Sequence, residues 1–200
     1  MHKSSFMKMQ YFKDTYLNPE DSLKILDIGS FDRGGNYNYG IILNEKKWKY
    51  QGLDLKEGNN VDIIVKDAYN WNEIEDETYD VIVSGQAFEH IEFWWITLEE
   101  IKRVLKPNGL FFLIVPSTGP VHKNPHDCYR FNENAMKAMT KYVNFQLIEY
   151  GKNEDKISDP WYDTFLVAKK PKTTNMEYFE NKIDTLERKL DLIMKKIETE

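Results

Sequence analysis

Three acidic residues at successive turn positions, and one polar run, hold the residue types that this sequence could use for chemistry. Leu26-Asp27-Ile28-Gly29-Ser30 closes an apolar run on a glycine turn, with Gly34 and Gly35 ahead. Such a turn lets a ligand reach backbone amides at a strand's carboxyl end. Its spacing departs from G-x-G-x-x-G, because Phe31 stands where the second glycine would be and Arg33 fills the next slot but one. A nicotinamide dinucleotide loses support on that ground. Asp54, in Gly52-Leu53-Asp54-Leu55, marks the tip of the next run, where a carboxylate accepts hydrogen bonds from a ribose diol. Asp67, in Lys66-Asp67-Ala68, follows a third run and can accept from the exocyclic amine of adenine. The three together suit an adenosine-type ligand.

The polar run is His122-Lys123-Asn124-Pro125-His126-Asp127-Cys128-Tyr129-Arg130. His122, His126 and Asp127 are metal-ligand types, but their spacing matches no strong ligand template, so no metal is expected. Asp127 can cap a helix or orient His122. Arg130 can clamp a phosphate with its planar fork, or equally bridge to Asp127. Trp94 and Trp95 read as core or as the wall of an acceptor pocket.

The elements that must position these residues follow from patterning. Short apolar runs at residues 23–28, 50–55, 61–65, 81–83 and 110–115, bounded by turn residues, read as strands. Residues 93–105 carry helical spacing through Ile96, Leu98, Ile101 and Leu105, and Lys106-Pro107-Asn108-Gly109 stops them. Strand, helix, strand in that order predicts an α/β domain with a parallel sheet and crossover helices. A second helix is expected at 132–142. Strands at 145–150 and 163–170 then form a hairpin that closes the sheet edge, so the main domain covers 1–170.

After a polar linker at 171–175, Met176, Phe179, Ile183, Leu186, Leu190, Ile193 and Ile197 are separated by 3, 4, 3, 4, 3 and 4. This heptad seam has Lys182, Lys189 and Lys196 at g, with Glu180 and Glu187 at e. It predicts a coiled-coil helix over 176–200 that joins two chains as a parallel homodimer. An amphipathic helix lying on its own domain is the alternative.

Composition narrows the class of function. Lys and Arg total 27 against 33 Asp and Glu, a net charge of -6, so no overall positive field draws the chain to nucleic acid or anionic lipid. With 41% hydrophobic and 14% aromatic residues the chain is no disordered protein, and 30% charge makes it no membrane-embedded one. Cys128 is the only cysteine, which permits no intrachain disulfide and fits a reducing, cytoplasmic setting. Lys3, Lys8 and Lys13 interrupt the first residues, unlike a signal peptide, and run 110–115 is far short of the ~20 residues that span a bilayer.

Asp27-Ile28-Gly29-Ser30, Asp54, Asp67-Ala68, Tyr79-Asp80-Val81-Ile82-Val83-Ser84 and Arg103-Val104-Leu105-Lys106-Pro107-Asn108-Gly109 form an ordered set. The set, over about residues 23–170, resembles the class I S-adenosylmethionine-dependent methyltransferases. The resemblance implies a Rossmann-like seven-stranded sheet with helices on both faces, its last strand antiparallel, and S-adenosyl-L-methionine as cofactor. It implies that Gly29 and Ser30 approach the methionine part and that Asp54, with Leu55 beside it, holds the ribose. Asp67 and Ala68 would border adenine, Ser84 would join them from the fourth strand, and Asp27 would organise the glycine turn and the cofactor's ammonium.

A narrower likeness lies in Gly29-Ser30-Phe31-Asp32-Arg33-Gly34-Gly35-Asn36-Tyr37, in Phe88-Glu89-His90, and in residues 116–131. These are similar to bacterial methyltransferases associated with surface-polysaccharide synthesis. The likeness implies O-methylation of a sugar or sugar-linked precursor of a capsule or lipopolysaccharide, a substrate expectation that rests on association. Transfer to a hydroxyl needs in-line approach and a group that takes the proton, and histidine suits this near neutral pH. His122 is the first candidate, then Asp127, then His90, while Arg130, Tyr129 and His126 are expected to bind the acceptor. Two alternatives stand beside this reading: another small metabolite as acceptor, such as a phosphorylated or phosphonate compound, or a non-catalytic cofactor-binding module recruited through the coiled coil.

Overall fold

The computed structural model describes residues 3–32, 34, 38–122, 126–152 and 161–172, with Ile183, Asp184, Leu186, Glu187, Leu190 and Met194. Seven strands make one sheet: β1 (Lys24–Ile28), β2 (Lys49–Asp54), β3 (Ile63–Ile64), β4 (Tyr79–Gly85), β5 (Leu105–Val115), β6 (Gln146–Lys152) and β7 (Thr164–Lys169). Their spatial order is β3-β2-β1-β4-β5-β7-β6. The first five run parallel, and β7 is antiparallel to both β5 and β6. This is the expected Rossmann-like sheet. The order reverses between β1 and β4, and in such sheets the crevice outside the strands' carboxyl ends at the reversal takes the ligand. There Ile28 of β1 pairs with Leu53 on one side and Ser84 on the other.

Alternation along the central strands feeds two cores, one on each face. Leu26, Ile28, Ile82, Phe111, Leu113 and Val115 join Leu98 and Ile101 of α2 (Trp94–Val104) and Met136 and Met139 of α3 (Glu133–Tyr142). Ile25, Val81, Val83, Phe112 and Ile114 join Met9 and Phe12 of α1 (Lys3–Tyr16), with Tyr39 and Leu43. Phe12 stacks on Phe112 with ring centroids 4.4 Å apart. Burying such side chains contributes ~1.5–3 kcal/mol each, which is what holds α1 to the sheet.

Several sequence expectations need correction. The patterning did not call for α1, because its buried stripe of Ser5, Met9 and Phe12 begins on a polar residue. Ser5 is tolerated there because its hydroxyl and that of buried Tyr39 share a hydrogen bond of 2.7 Å. Among the described residues, of the connections between the five parallel strands β1 to β5 only that from β4 to β5 carries an α-helix. The β1-to-β2 connection passes through a 3-10 turn at Tyr39–Ile41, capped by Asn38 Oδ1 accepting from the Ile41 N–H. The third strand is a two-residue ladder rather than the whole of 61–65. Residues 106–109 do not lie outside the sheet: they bulge from β5, since Tyr79 pairs with Leu105 and Val81 with Leu110. The α3 boundary agrees with expectation, and Asn132 caps it by accepting from the Asn134 and Ala135 N–H groups.

Of the heptad segment, Ile183, Leu186 and Leu190 are helical and more than half exposed. Asp184, Glu187 and Met194 are also helical and exposed, and the remaining residues of the expected coiled coil, with linker residues 173–175, lie outside the described residues. No helix among the described residues is long and apolar enough to cross a membrane.

Candidate active site

The tips of β1 and β2 are tied into one unit. Gly29 sits at φ 75°, and a Cβ there would stand 2.5 Å from the Ala87 Cβ, so the turn needs glycine both for its backbone and for the segment packed on it. The Gly29 and Ser30 N–H groups donate to the Leu53 carbonyl at 2.9 and 3.2 Å. Those two amides therefore fasten β1 to β2 rather than standing open to a ligand, which corrects the expected cradle. The turn's third amide, on Phe31, donates to Asp54 Oδ2 at 3.2 Å. Asp54 also accepts from the Leu55 and Lys56 N–H groups at 2.7 and 3.2 Å. A carboxylate has about four acceptor positions, so this one is oriented by backbone and retains capacity for a hydroxyl. Leu55 beside it is 52% exposed.

The other expected cofactor residues divide. Asp67 is exposed, with Oδ1 accepting from the Tyr69 N–H at 2.8 Å, and the Ala68 carbonyl accepts from Trp71 Nε1 and Thr97 Oγ1. Ser84 is buried, and its hydroxyl donates to the Ile28 carbonyl at 2.9 Å, closing the β1–β4 seam. Asp27 is 2% exposed and accepts from the Tyr50 hydroxyl at 2.6 Å. Asn60 Nδ2 bridges onward to the Tyr50 oxygen and the Ser30 carbonyl, at 2.8 and 3.0 Å. Asp27 thus organises the glycine turn from inside, through Tyr50 and Asn60, two residues that the strand-tip pattern did not single out. Contact with a cofactor ammonium would need an access that its burial does not give.

Burial pushes the Asp27 carboxyl up from 3.8 to about 7, against the Tyr50 hydrogen bond, which lowers it. The folded chain then keeps a proton that the unfolded chain releases near pH 4. The stability linked to that proton is full below pH 4 and is lost as pH rises through 7. We expect the melting temperature to fall between pH 5 and 8 by the equivalent of ~2–4 kcal/mol, and Asp27→Asn to flatten that slope. Thermal melts across this range check it, and an equally steep slope in the variant would refute the assignment.

The polar run is pinned against β4's exit. The Glu89 carbonyl, in the 3-10 turn Phe88–His90, accepts from the Cys128 and Tyr129 N–H groups at 2.7 and 3.3 Å. The Asp127 side chain is fully buried and takes both Arg130 guanidinium nitrogens, at 2.5 and 2.8 Å, together with the His122 N–H at 2.6 Å. The Arg130 hydrogen bond holds the Asp127 carboxyl well below the usual range. Arg130 also donates to the Pro120 carbonyl and lies 5.6 Å over the Trp161 ring, so in this structure it forms the bridge. Tyr129 donates its hydroxyl to the Glu92 carbonyl at 2.7 Å, and His126 is exposed.

His122 sits between aromatic neighbours, its ring 4.9 Å from that of His90 and 4.7 Å from Trp161. Its Nδ1 is 3.2 Å from Asp127 Oδ2, without a hydrogen bond's alignment. His90 Nδ1 meets the His126 carbonyl at 2.5 Å. A carbonyl only accepts, so Nδ1 carries the proton and Nε2 keeps its lone pair, 3.6 Å from Glu89 Oε1. Burial lowers the His90 pKa, which also keeps the ring neutral. Glu89 itself escaped the sequence reading except as a neighbour of His90. Its side chain is wholly buried, neither oxygen has a well-aligned hydrogen-bond partner among the described residues, and burial pushes its carboxyl up to about 8, against a weaker lowering by the Glu89 backbone. A glutamate directly after the apolar pair Ala87-Phe88 was the available signal.

Comparison with known proteins places this geometry. Residues 29–113 match the family model of a methyltransferase domain, somewhat under half of the chain. A demethylmenaquinone methyltransferase of Staphylococcus saprophyticus is 29% identical over 93 residues, 46% of this chain and 38% of that protein. The chain therefore aligns with less than half the length of this curated relative. The 1,6-didemethyltoxoflavin-N1-methyltransferase of Burkholderia thailandensis, solved with S-adenosylhomocysteine, superposes with a TM-score of 0.67 at 13% identity, covering 85% of this chain and 80% of that one. The cyclase SpnF superposes with a TM-score of 0.62 at 13% identity, covering 84% and 82%. The match to a methyltransferase domain thus covers residues 29–113, while the overall likeness, shared with a cyclase, shows a fold alone.

Proposed function

We propose that this chain, built around a methyltransferase domain, transfers a methyl group from S-adenosyl-L-methionine to a hydroxyl of a small polar acceptor, a sugar or sugar-linked precursor of a bacterial surface glycan. The observation that carries it is the matched domain together with an Asp54 carboxylate aimed from the β2 tip by three backbone N–H groups. Glycine at position 29 keeps the β1 turn free of side-chain bulk, and Leu55 offers an exposed apolar surface beside Asp54. These residues fit the adenosine and methionine portions of such a cofactor, which when bound supplies an electrophilic methyl on a sulfonium.

On the acceptor side, His122 is the residue suited to take the hydroxyl proton. Asp127 is committed to Arg130, and the His90 lone pair faces Glu89, whereas His122 is partly exposed with a carboxylate at its Nδ1. A small rotation that aligned this 3.2 Å contact would give the base-and-orienter arrangement of general-base catalysis. The Arg130–Asp127 bridge shapes the loop, and Trp161, packed on the His122 ring, is the aromatic suited to a sugar face. The sugar reading draws on the likeness in residues 29–37, 88–90 and 116–131; a phosphorylated or phosphonate metabolite is the second choice. The test is transfer of labelled methyl from S-adenosylmethionine to a panel of nucleotide-linked sugars and phosphorylated metabolites. Cofactor binding without transfer to any of them would favour a binding module.

The same proposal includes a homodimer through residues 176–200. Exposed, helical Ile183, Leu186 and Leu190 would be buried against a second copy, knobs into holes. Removing residues 175–200 is expected to give a folded, cofactor-binding monomer. Light scattering that reports a monomer for the full chain as well would refute the dimer.

A further inference from the structure

We propose that Glu89, His90 and His122 bind one divalent first-row transition-metal cation beside the glycine turn. One carboxylate oxygen and one nitrogen from each imidazole lie within 4.8 Å of one another. Three donors about 2.1 Å from a shared ion stand roughly 3–3.5 Å apart, so the set needs a modest closure. His122 can supply it, because its side chain is 38% exposed, whereas Glu89 and His90 are held by the 3-10 turn.

Two independent observations make this a built site rather than a chance cluster. Glu89 is fully buried, and among the described residues both its oxygens lack well-aligned hydrogen-bond partners, a costly arrangement unless something completes it. The His90 imidazole, moreover, is held at Nδ1 by the His126 carbonyl, which turns its Nε2 toward Glu89 Oε1. Metal-ligating histidines are fixed in this manner, with Nδ1 engaged and Nε2 turned to the ion. His122 Nδ1 stands 3.2 Å from Asp127 Oδ2 without a hydrogen bond, so a small rotation of that ring would fix it likewise. Arg130, the nearby positive group that would oppose a cation, is neutralised by its bridge to Asp127.

One carboxylate with two imidazoles suits zinc, iron or manganese better than magnesium or calcium, which prefer all-oxygen sets. The cluster stands at the carboxyl end of β4, and Ala87, two residues before Glu89, packs against Gly29. An acceptor hydroxyl bound to the cation would release its proton more readily, and His122 would then act as ligand rather than base. That consequence rests on the methyl-transfer reading; cation binding does not.

Cobalt(II) titrated into the untagged full chain, followed by its visible absorption, provides the test. We expect one cobalt per chain, at least ~10-fold weaker binding in Glu89→Gln, His90→Gln and His122→Ala, and parent affinity in His126→Ala, outside the cluster. Circular dichroism verifies that each variant is folded, and partly exposed His122 keeps the test decisive if Glu89→Gln is not. No saturable band at millimolar cobalt, or equal affinity in His122→Ala and the parent, would overturn the site. Because neither cofactor nor acceptor is present, that failure would leave methyl transfer untouched.

Discussion

Replacing His122 by alanine is expected to lower methyl transfer by about 100-fold or more while leaving affinity for S-adenosylmethionine near that of the parent. The two effects separate because His122 belongs to the loop after β5, whereas the residues proposed to hold the cofactor are at the tips of β1 and β2. His122 is positioned from three sides: Trp161 and His90 pack on its ring, and Asp127, anchored by Arg130, binds its N–H. Truncation removes the imidazole and leaves that frame, since the Arg130–Asp127 bridge does not pass through it. The measurement is single-turnover formation of S-adenosylhomocysteine with the acceptor found by the panel, alongside cofactor calorimetry. Unchanged turnover would move the proton-accepting role to His90, and a parallel loss of cofactor affinity would show that the loop shapes the cofactor pocket instead.

What the sequence made legible follows the range over which each signal acts. The succession of strands along the chain and the closing hairpin came from apolar runs and their sequence, because alternation and turn residues are local. The tip position of Asp54 came the same way. The roles of the Gly29 and Ser30 amides did not, since the Leu53 carbonyl that takes them belongs to another strand. Asp27 carried the right position but its partner Tyr50 is 23 residues away, so the buried link to the turn was invisible before the strands were side by side. Arg130 and Asp127 are three residues apart, and the bridge was one of two readings open from spacing alone. The Glu89, His90 and His122 group spans the exits of β4 and β5, and no linear template contains it. Helix α1 shows the limit of periodicity, where one polar residue in the buried stripe hides a helix whose hydroxyl is satisfied by tertiary contact.

Calorimetric titration of S-adenosylmethionine into the full chain and into Asp54→Ala tests the central claim most directly. The Asp54 carboxylate is pre-oriented by the Phe31, Leu55 and Lys56 amides, so a ribose diol meets a fixed acceptor rather than a mobile one. A hydrogen bond to a charged group contributes ~1.5–3 kcal/mol, which corresponds to a loss of about 10-fold or more in affinity. The expected result is one bound cofactor per parent chain, at least ~10-fold weaker binding in Asp54→Ala, and no comparable binding of NAD. Equal affinity in parent and variant, no binding of S-adenosylmethionine to the parent, or tighter binding of NAD would contradict the account.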